Sequence, residues 1–365
     1  MLKTTRIIYI KPSNSSFIRG DQEILEKQFE VQSFLMYQNK NKVIFGWRLF
    51  LLFFYLLSNV FRRNVIFVAW FADYHSALMA FVAKLMHKKS IIFIGGQEAV
   101  SYPELKKGVY RKKIRGAFVR YALRNTNLII ANHKSLVYHE NYYYNNKNPH
   151  IDGIQHYVPN LQTKTEIVFN GIDSTKFVRD ISISKQSNLI LTVGTMNQIG
   201  DFYNKGFDLF IEVAALNKDL NFVLIGLNPK FLKWTEETYK VSAISNLQII
   251  PSFCSQEILN LKYNQAKVFV QASITEGMPN TLSEAMLLEC IPVGSNVNGI
   301  PDAIGDTGVI LKQRNVENLG KCILQALKLD TGIAARERVL KMFDFNLREE
   351  KILNILADFI NKDQI

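Results

Sequence analysis

Residues 272–286 read ASITEGMPNTLSEAM, continuing the apolar run KVFVQAS at 267–273. That run has the length and β-branched, aromatic content of a strand, and the Pro-Asn-Thr-Leu-Ser-Glu after it has the form of a helix start. The order puts Glu276 at the carboxyl end of a strand and Glu284 in the first turns of the next helix. In open parallel sheets, ligands bind at the carboxyl ends of strands, facing helix N-termini whose free N–H groups attract anions. A carboxylate there can hold sugar hydroxyls while backbone N–H groups hold a phosphate, so the stretch reads as a nucleotide-sugar site. Two glutamates eight positions apart carry little by themselves. Thr281 and Glu284 also have the spacing of a capping box, and both roles are open for Glu284.

Around this stretch the pattern alternates. RIIYI (6–10), VIFVAW (65–70), SIIFIGG (90–96) and NLIIAN (127–132) read as buried parallel strands, with helical segments such as HSALMAFVAKLMHK (75–88) between them. NLILTVGT (188–195), NFVLIG (221–226), LQIIPS (247–252) and CIPVGSN (290–296) restart the pattern, with GFDLFIEVAALN as a helix. Such alternation predicts two doubly wound α/β units. A chain of 365 residues accommodates both cores. The polar stretch YHENYYYNNKNPH (138–150) reads as a surface loop before a late strand, EIVFNGID. LREEKILNILADFIN (347–361) reads as an amphipathic terminal helix. The expected units are 1–175, 176–346 and a final helix within 347–365.

The quoted stretch resembles the signature of family 4 glycosyltransferases, also called glycosyl transferases group 1. These are retaining enzymes of the GT-B fold. The resemblance rests on Ser273, Glu276, Gly277, Pro279, Glu284, Ala285, Met286, Pro292, Val293 and Gly299 in order, and on NGID at 170–173. Physically, Asn-Gly reads as a tight turn with positive φ. The resemblance implies α/β GT-B architecture, two doubly wound parallel-sheet domains facing across a cleft. It places the acceptor in the first domain, the nucleotide-sugar in the second, and the last helix back on the first. It gives Glu276 the donor sugar hydroxyls and Glu284 the ribose. Gly277, Met278, Pro279, Asn280, Thr281 and Leu282 then form the phosphate-binding helix start, with Gly299 beside the donor.

The loop after VGT resembles the family's diphosphate loop, where Lys205-Gly206 fits the family's Lys-Gly that opens a helix. Lysine suits phosphate as a mobile point charge. Gly194 and Thr195 fall where relatives have Gly-Arg, so the expected Arg is Thr195 here. On the acceptor side, FADYHS (71–76) and GGQEAVSYPE (95–104) follow strands. His75 is a candidate general base by residue type and position, and Gln97 and Glu98 are further acceptor-side candidates. The expected catalytic set is Glu276, Lys205 and His75.

No Asp-x-Asp occurs, so the expectation is metal-independent transfer without a cofactor, from a UDP- or GDP-sugar to a glycan or lipid-linked acceptor in cell-surface polysaccharide assembly. Two alternatives are a GT-B scaffold with lost or weak turnover, to which Thr195 points, and a nucleotide-dependent oxidoreductase, which would need a Gly-x-Gly-x-x-Gly that neither half has.

The net charge of +12 is lopsided. Residues 1–180 hold 26 Lys and Arg against 12 Asp and Glu, whereas 181–365 hold 18 against 20. The segment 106–124 concentrates the excess and reads as a basic amphipathic helix for an anionic membrane surface. No nucleic-acid signature accompanies it. The apolar run Leu49–Leu57 would measure about 14 Å as a helix, against about 30 Å for a bilayer core, so no span is expected. MLKTTRIIYIKPSNSS reads as a first strand rather than a signal peptide. Three scattered cysteines fit a reducing compartment. The expected location is cytoplasmic and peripheral on the inner face of the membrane.

Overall fold

A computed structural model describes residues 5–37, 41–251 and 254–361. Its first half runs β1 (Arg6–Lys11), α1 (Ser16–Glu26), β2 (Glu30–Leu35), α2 (Lys42–Val60), β3 (Val65–Trp70), α3 (Tyr74–Leu85) and β4 (Lys89–Ile94). It continues with α4 (Lys113–Asn125), β5 (Leu128–Ala131), β6 (His139–Asn141), β7 (His150–Asp152), α5 (Ile154–Tyr157) and β8 (Lys164–Ile167). Six of these strands form one parallel sheet in the order β2-β1-β3-β4-β5-β8. Every residue of β1 and β3 is buried, as expected of strands covered on both faces. β2, EVQSFL, is an edge strand, as β8 is on the other side, and its polar content hid it from hydropathy.

The second half begins with β9 (Gln186–Val193), α6 (Ile199–Lys205), α7 (Phe207–Leu216), β10 (Asn221–Leu227), α8 (Leu232–Tyr239) and β11 (Leu247–Pro251). Then come α9 (Gln256–Gln265), β12 (Ala266–Gln271), α10 (Asn280–Leu287), β13 (Ile291–Ser295), α11 (Ile300–Ile304) and β14 (Val309–Leu311). Helices α12 (Val316–Leu327), α13 (Gly332–Met342) and α14 (Phe345–Asn361) complete the chain. Its parallel sheet has the order β11-β10-β9-β12-β13-β14. The strand order reverses direction beside β9, which sets the carboxyl ends of β9 and β12 at a switch point. Ser252, at the end of the expected LQIIPS strand, lies outside the described residues.

Helix α14 crosses back to the first half, where Ile352, Leu353 and Leu356 join the core of Ile7, Tyr9 and Ile18. Arg348 clamps it there. Its guanidinium donates to both Asp21 oxygens at 2.7 Å and to the carbonyls of Val168 and Phe169. The ion pair is almost fully buried, and Trp70 Nε1 donates to the same Asp21 carboxylate. A buried pair of this kind fixes a register, because either charge left alone would be costly.

Three expectations are corrected. Residues 138–150 are not a surface loop. β6 and β7 pair antiparallel, and the buried Asn141 and Tyr143 side chains reach Ile274 O and Ala272 O in the second half, at 2.7 and 3.3 Å. The basic segment is helical only from Lys113, and several of its cations are engaged. Arg115 pairs with Asp73, while Arg120 and Arg124 donate to the carbonyls of Tyr157 and Pro159. The apolar run 49–57 is part of a longer helix. α2 has 19 residues and is long and apolar enough, by length and composition, to cross a membrane.

Candidate active site

The carboxyl ends of the two sheets face each other across a cleft of about 670 Å³. Trp70, Phe71, Gly95 and Asn132 line it from the first half. Gly194, Thr195, Lys205 and the loop Glu276–Thr281 line it from the second. These residues meet because β9 and β12 are neighbours in the sheet, so the loops that follow them share one end.

The turn carrying Lys205 differs from a simple strand-to-helix loop. A short helix, α6, is inserted after β9, started by a capping box between Gln198 and Asp201. Lys205 is its last residue. Gly206 ends it in the left-handed conformation at φ +72°, and a Cβ there would lie 2.5 Å from Ala272 O. Glycine is therefore demanded twice over, by φ and by the approach to the strand end that precedes Glu276. α7 then starts at Phe207. The result aims Lys205 across the loop at Glu276, with Nζ 2.9 and 3.1 Å from the two carboxylate oxygens. Both side chains are 18% exposed.

Burial by itself would raise the Glu276 carboxyl. The ammonium groups of Lys205 and Lys107 outweigh it and hold the group below the ordinary carboxylate range. Lys107 was hidden in the basic run. Its ammonium donates to Thr275 O at 3.3 Å, and desolvation lowers its own pKa, with Glu276 opposing. Asn298 fixes the other side of the loop, where its Oδ1 accepts from Glu276 N at 2.9 Å and from Thr275 Oγ1.

α10 begins at Asn280, after Pro279, which supplies no side-chain cap. Its first N–H groups are left for a ligand, since Asn280 and Thr281 line the cleft. Thr281 does not form the capping box its spacing allowed, and its hydroxyl donates to Gln271 Oε1 at 3.1 Å. Glu284 turns away to α9 and accepts from the Tyr263 hydroxyl at 3.0 Å. Burial raises its carboxyl to about 7 despite that bond. Leu282 is buried in the core, and Gly299 sits behind the loop, donating to Gly277 O at 3.0 Å. Leu282, Glu284 and Gly299 are thus adjacent to the cleft rather than on its wall.

The acceptor-side candidates are also displaced. His75 is buried beneath the loop after β3, its Nε2 2.9 Å from Trp70 O, and desolvation lowers its pKa. It does not line the cleft, so a proton-transfer role has no geometric support. Glu98 is fully buried and accepts from the N–H groups of Ala72 and Gly96, tying together the loops after β3 and β4. Gln97 Oε1 accepts from Gly108 N and holds the turn that carries Lys107. Side chains read as acceptor contacts are braces. Among the wall residues that sequence reasoning missed is Asn132, whose buried Oδ1 has no hydrogen-bond partner.

Asn170 of NGID was read as part of a positive-φ turn, and neither Asn170 nor Gly171 has positive φ. The Asn170 amide donates to Met278 O and Asn280 Oδ1, bracing the start of α10. Gly171 is required by contact instead, since a Cβ would lie 2.9 Å from the Phe345 Cα. Among the described residues, no cluster of three His, Cys, Asp or Glu side chains is placed to hold a metal.

Residues 173–341 match the model of glycosyl transferases group 1. The second half of the chain is a glycosyl transferases group 1 domain. It contains Lys205, Glu276 and Glu284, and the first half lies outside the match. The GPI3 subunit of phosphatidylinositol N-acetylglucosaminyltransferase from Saccharomyces cerevisiae is 26% identical over 184 residues, 47% of this chain and 38% of that protein. A Homo sapiens component of the enzyme of the same name is 24% identical over 165 residues, 44% of this chain and 33% of that protein. The chain spans well under half the length of these curated relatives. Solved structures share the architecture of both halves. Sucrose-phosphate synthase from Thermosynechococcus elongatus superposes with a TM-score of 0.73 at 12% identity, covering 98% of this chain and 100% of that one. HepE from Anabaena, in complex with UDP and glucose, gives 0.70 at 12% identity, covering 97% and 100%. The group 1 domain therefore sits in a two-sheet GT-B fold, with its signature loop on the cleft.

Proposed function

We propose that the chain is a retaining, metal-independent hexosyltransferase. It moves a sugar from a nucleotide-sugar to a glycan or lipid-linked acceptor in cell-surface polysaccharide assembly, in the cytoplasm. The observation that carries this reading is the Lys205–Glu276 pair, set on the cleft beside the uncapped start of α10. A donor diphosphate takes Lys205 and the N–H groups of Asn280 to Leu282. Glu276 is freed to accept hydrogen bonds from sugar hydroxyls, and its depressed pKa keeps it an acceptor at neutral pH. A hydrogen bond to a charged group is worth about 1.5–3 kcal/mol. Fixed cationic groups at the leaving diphosphate lower the barrier because charge develops there. The acceptor hydroxyl attacks on the face the diphosphate leaves, its oxygen bonding to the anomeric carbon as the carbon–phosphate-oxygen bond breaks and its proton passing to the departing diphosphate oxygen, so the anomeric configuration is conserved. The HepE complexes with UDP and UDP-glucose support a uridine donor. The names of the yeast and human relatives, which specify phosphatidylinositol, support a lipid-linked acceptor.

Thr195, standing where the family's Arg is expected, favours a second reading, a scaffold with weak turnover. The test is a thermal-shift series with UDP-, GDP- and ADP-sugars, followed by NMR of the product. A UDP-sugar is expected to stabilise the protein, less so after Lys205→Met, and the product to keep the donor anomer in the presence of EDTA. Glu276→Gln is expected to lose about 100-fold or more in turnover, a typical effect of removing one transition-state contact. Stabilisation by no nucleotide-sugar, or wild-type turnover in Glu276→Gln, refutes the proposal.

A further inference from the structure

The outer side of α2 carries an apolar stripe left uncovered. Leu52 and Leu56 face the sheet and are fully buried, which fixes the helix to the first half. On the opposite side Trp47 is 59%, Phe50 50% and Phe54 51% exposed, flanked by Val43, Ile44 and Leu51. These rings form a ladder, with Trp47 stacked on Phe50 at 5.2 Å and Phe50 edge-on to Phe54 at 4.7 Å. Between Lys42 and Val60 there is one other charged residue, Arg48. Its guanidinium is folded back, donating to Leu35 O at 2.7 Å and lying 3.8 Å over the Tyr37 ring. The stripe is therefore free of charge along its length. Exposed apolar patches of this kind mark an interaction surface.

The stripe continues into a groove of about 610 Å³ between α2, α3 and α4, walled by Phe50, Phe53, Leu78, Phe81, Phe118 and Tyr121. Cations surround it. Arg62 and Arg63 are exposed beyond the end of α2, where Lys88 reaches Arg62 O. Lys84 is exposed on α3, and Lys112 and Lys113 are exposed at the start of α4. The segments 42–60, 74–85 and 113–125 contain no Asp or Glu. An aromatic stripe on a helix, with Lys and Arg near the ends of three helices that hold no Asp or Glu, is the pattern of an interfacial helix on an anionic leaflet.

We propose that this face docks the chain on a bilayer of anionic phospholipid. α2 lies in the plane of the interface, with Trp47, Phe50 and Phe54 at the acyl boundary and the cations at the headgroups. It does not span, because Leu52 and Leu56 hold it against the sheet. The docking face shares Lys112, Lys113, Phe118 and Tyr121 with the 106–124 segment, whose Lys107, Arg115, Arg120 and Arg124 serve internal contacts. It is independent of the transfer reaction and stands or falls without it.

The test uses the full chain and vesicles of phosphatidylcholine alone or mixed in equal parts with phosphatidylglycerol. Co-sedimentation with the mixed vesicles is expected to exceed that with neutral ones by about tenfold or more and to fall in high salt, because several Lys and Arg act together. Trp47 emission is expected to shift to the blue on the mixed vesicles. Trp47→Phe should abolish the shift while binding persists, since Trp70 is buried and Trp234 packs against the core of the second half, away from this face. The double variant Phe50→Glu, Phe54→Glu is expected to lose at least about tenfold in binding at an unchanged melting temperature, as both sites are exposed. Equal binding to neutral vesicles, no binding to either, or full binding by the double variant overturns the proposal. So does a dimer that the double variant dissociates in the absence of vesicle binding, which would make a second copy the occupant.

Discussion

Replacing Glu284 by Gln is expected to stabilise the second half of the molecule at alkaline pH. The carboxyl is largely shielded from solvent and accepts from the Tyr263 hydroxyl, and burial raises it from 4.5 to about 7. One pKa unit corresponds to about 1.4 kcal/mol, so holding this group ionised in the folded state costs about 3 kcal/mol. Below about pH 4.5 the group is protonated in both folded and unfolded chains, and no penalty exists. Between there and about pH 7 the folded state keeps a proton the unfolded state has lost, so stability falls as pH rises. Above that, the whole penalty applies and no longer changes. Gln is neutral and keeps an acceptor for Tyr263, so the variant escapes the penalty. Its advantage should be near zero at about pH 4.5 and reach about 3 kcal/mol at about pH 8.5. For a unit of this size that is roughly 6–12 °C in melting temperature. Melting curves of both proteins across this range measure it. The same variant should bind UDP more weakly if Glu284 takes the ribose, an independent readout by calorimetry. A stability difference that does not change with pH, or a wild type more stable than the variant at alkaline pH, refutes the reasoning.

Two further outcomes follow from the cleft. Lys107→Met removes one of the two cations that depress Glu276, so the acidic limb of the pH–rate profile should move upward, with turnover reduced by about tenfold or more; an unmoved limb would detach Lys107 from Glu276. His75→Ala removes the contact to Trp70 O and should cost about 1–3 kcal/mol of stability, while turnover per folded molecule stays within about twofold; a loss of several hundredfold in a folded variant would restore His75 to catalysis.

The parallel strands were legible because burial on both faces writes them as unbroken apolar runs, as in RIIYI and VIFVAW. The signature loop was legible because a strand end, a proline and a helix start follow one another in sequence. Lys205 and Glu276 were legible as separate elements, and the sheet topology makes them neighbours. What escaped was set by contacts between distant segments. β2 is an edge strand with polar residues, so its run is broken. Asn141 and Tyr143 sit in a stretch as polar as any loop, and become buried only because the second half supplies carbonyls at Ile274 and Ala272. His75 and Glu98 follow strands, as site residues do, but their side chains turn back to satisfy the loop backbone. Sequence position places a residue at the correct end of a sheet without deciding which way its side chain points.

The cleft's charge therefore depends on both halves at once. Glu276 is held ionised by Lys205 from its own sheet and by Lys107 from the facing one. Lys107 is carried on the turn after β4, which Gln97 fixes and which touches the second half through Gln198 Nε2, donating to Leu105 O and Lys106 O. The hairpin of β6 and β7 makes a second link through Asn141 and Tyr143. Separating the two halves would withdraw Lys107 and leave Lys205 alone against the desolvation of Glu276. One cation of the basic first half, Lys107, thus acts at the carboxylate of the second, in a chain where the family's expected arginine is Thr195.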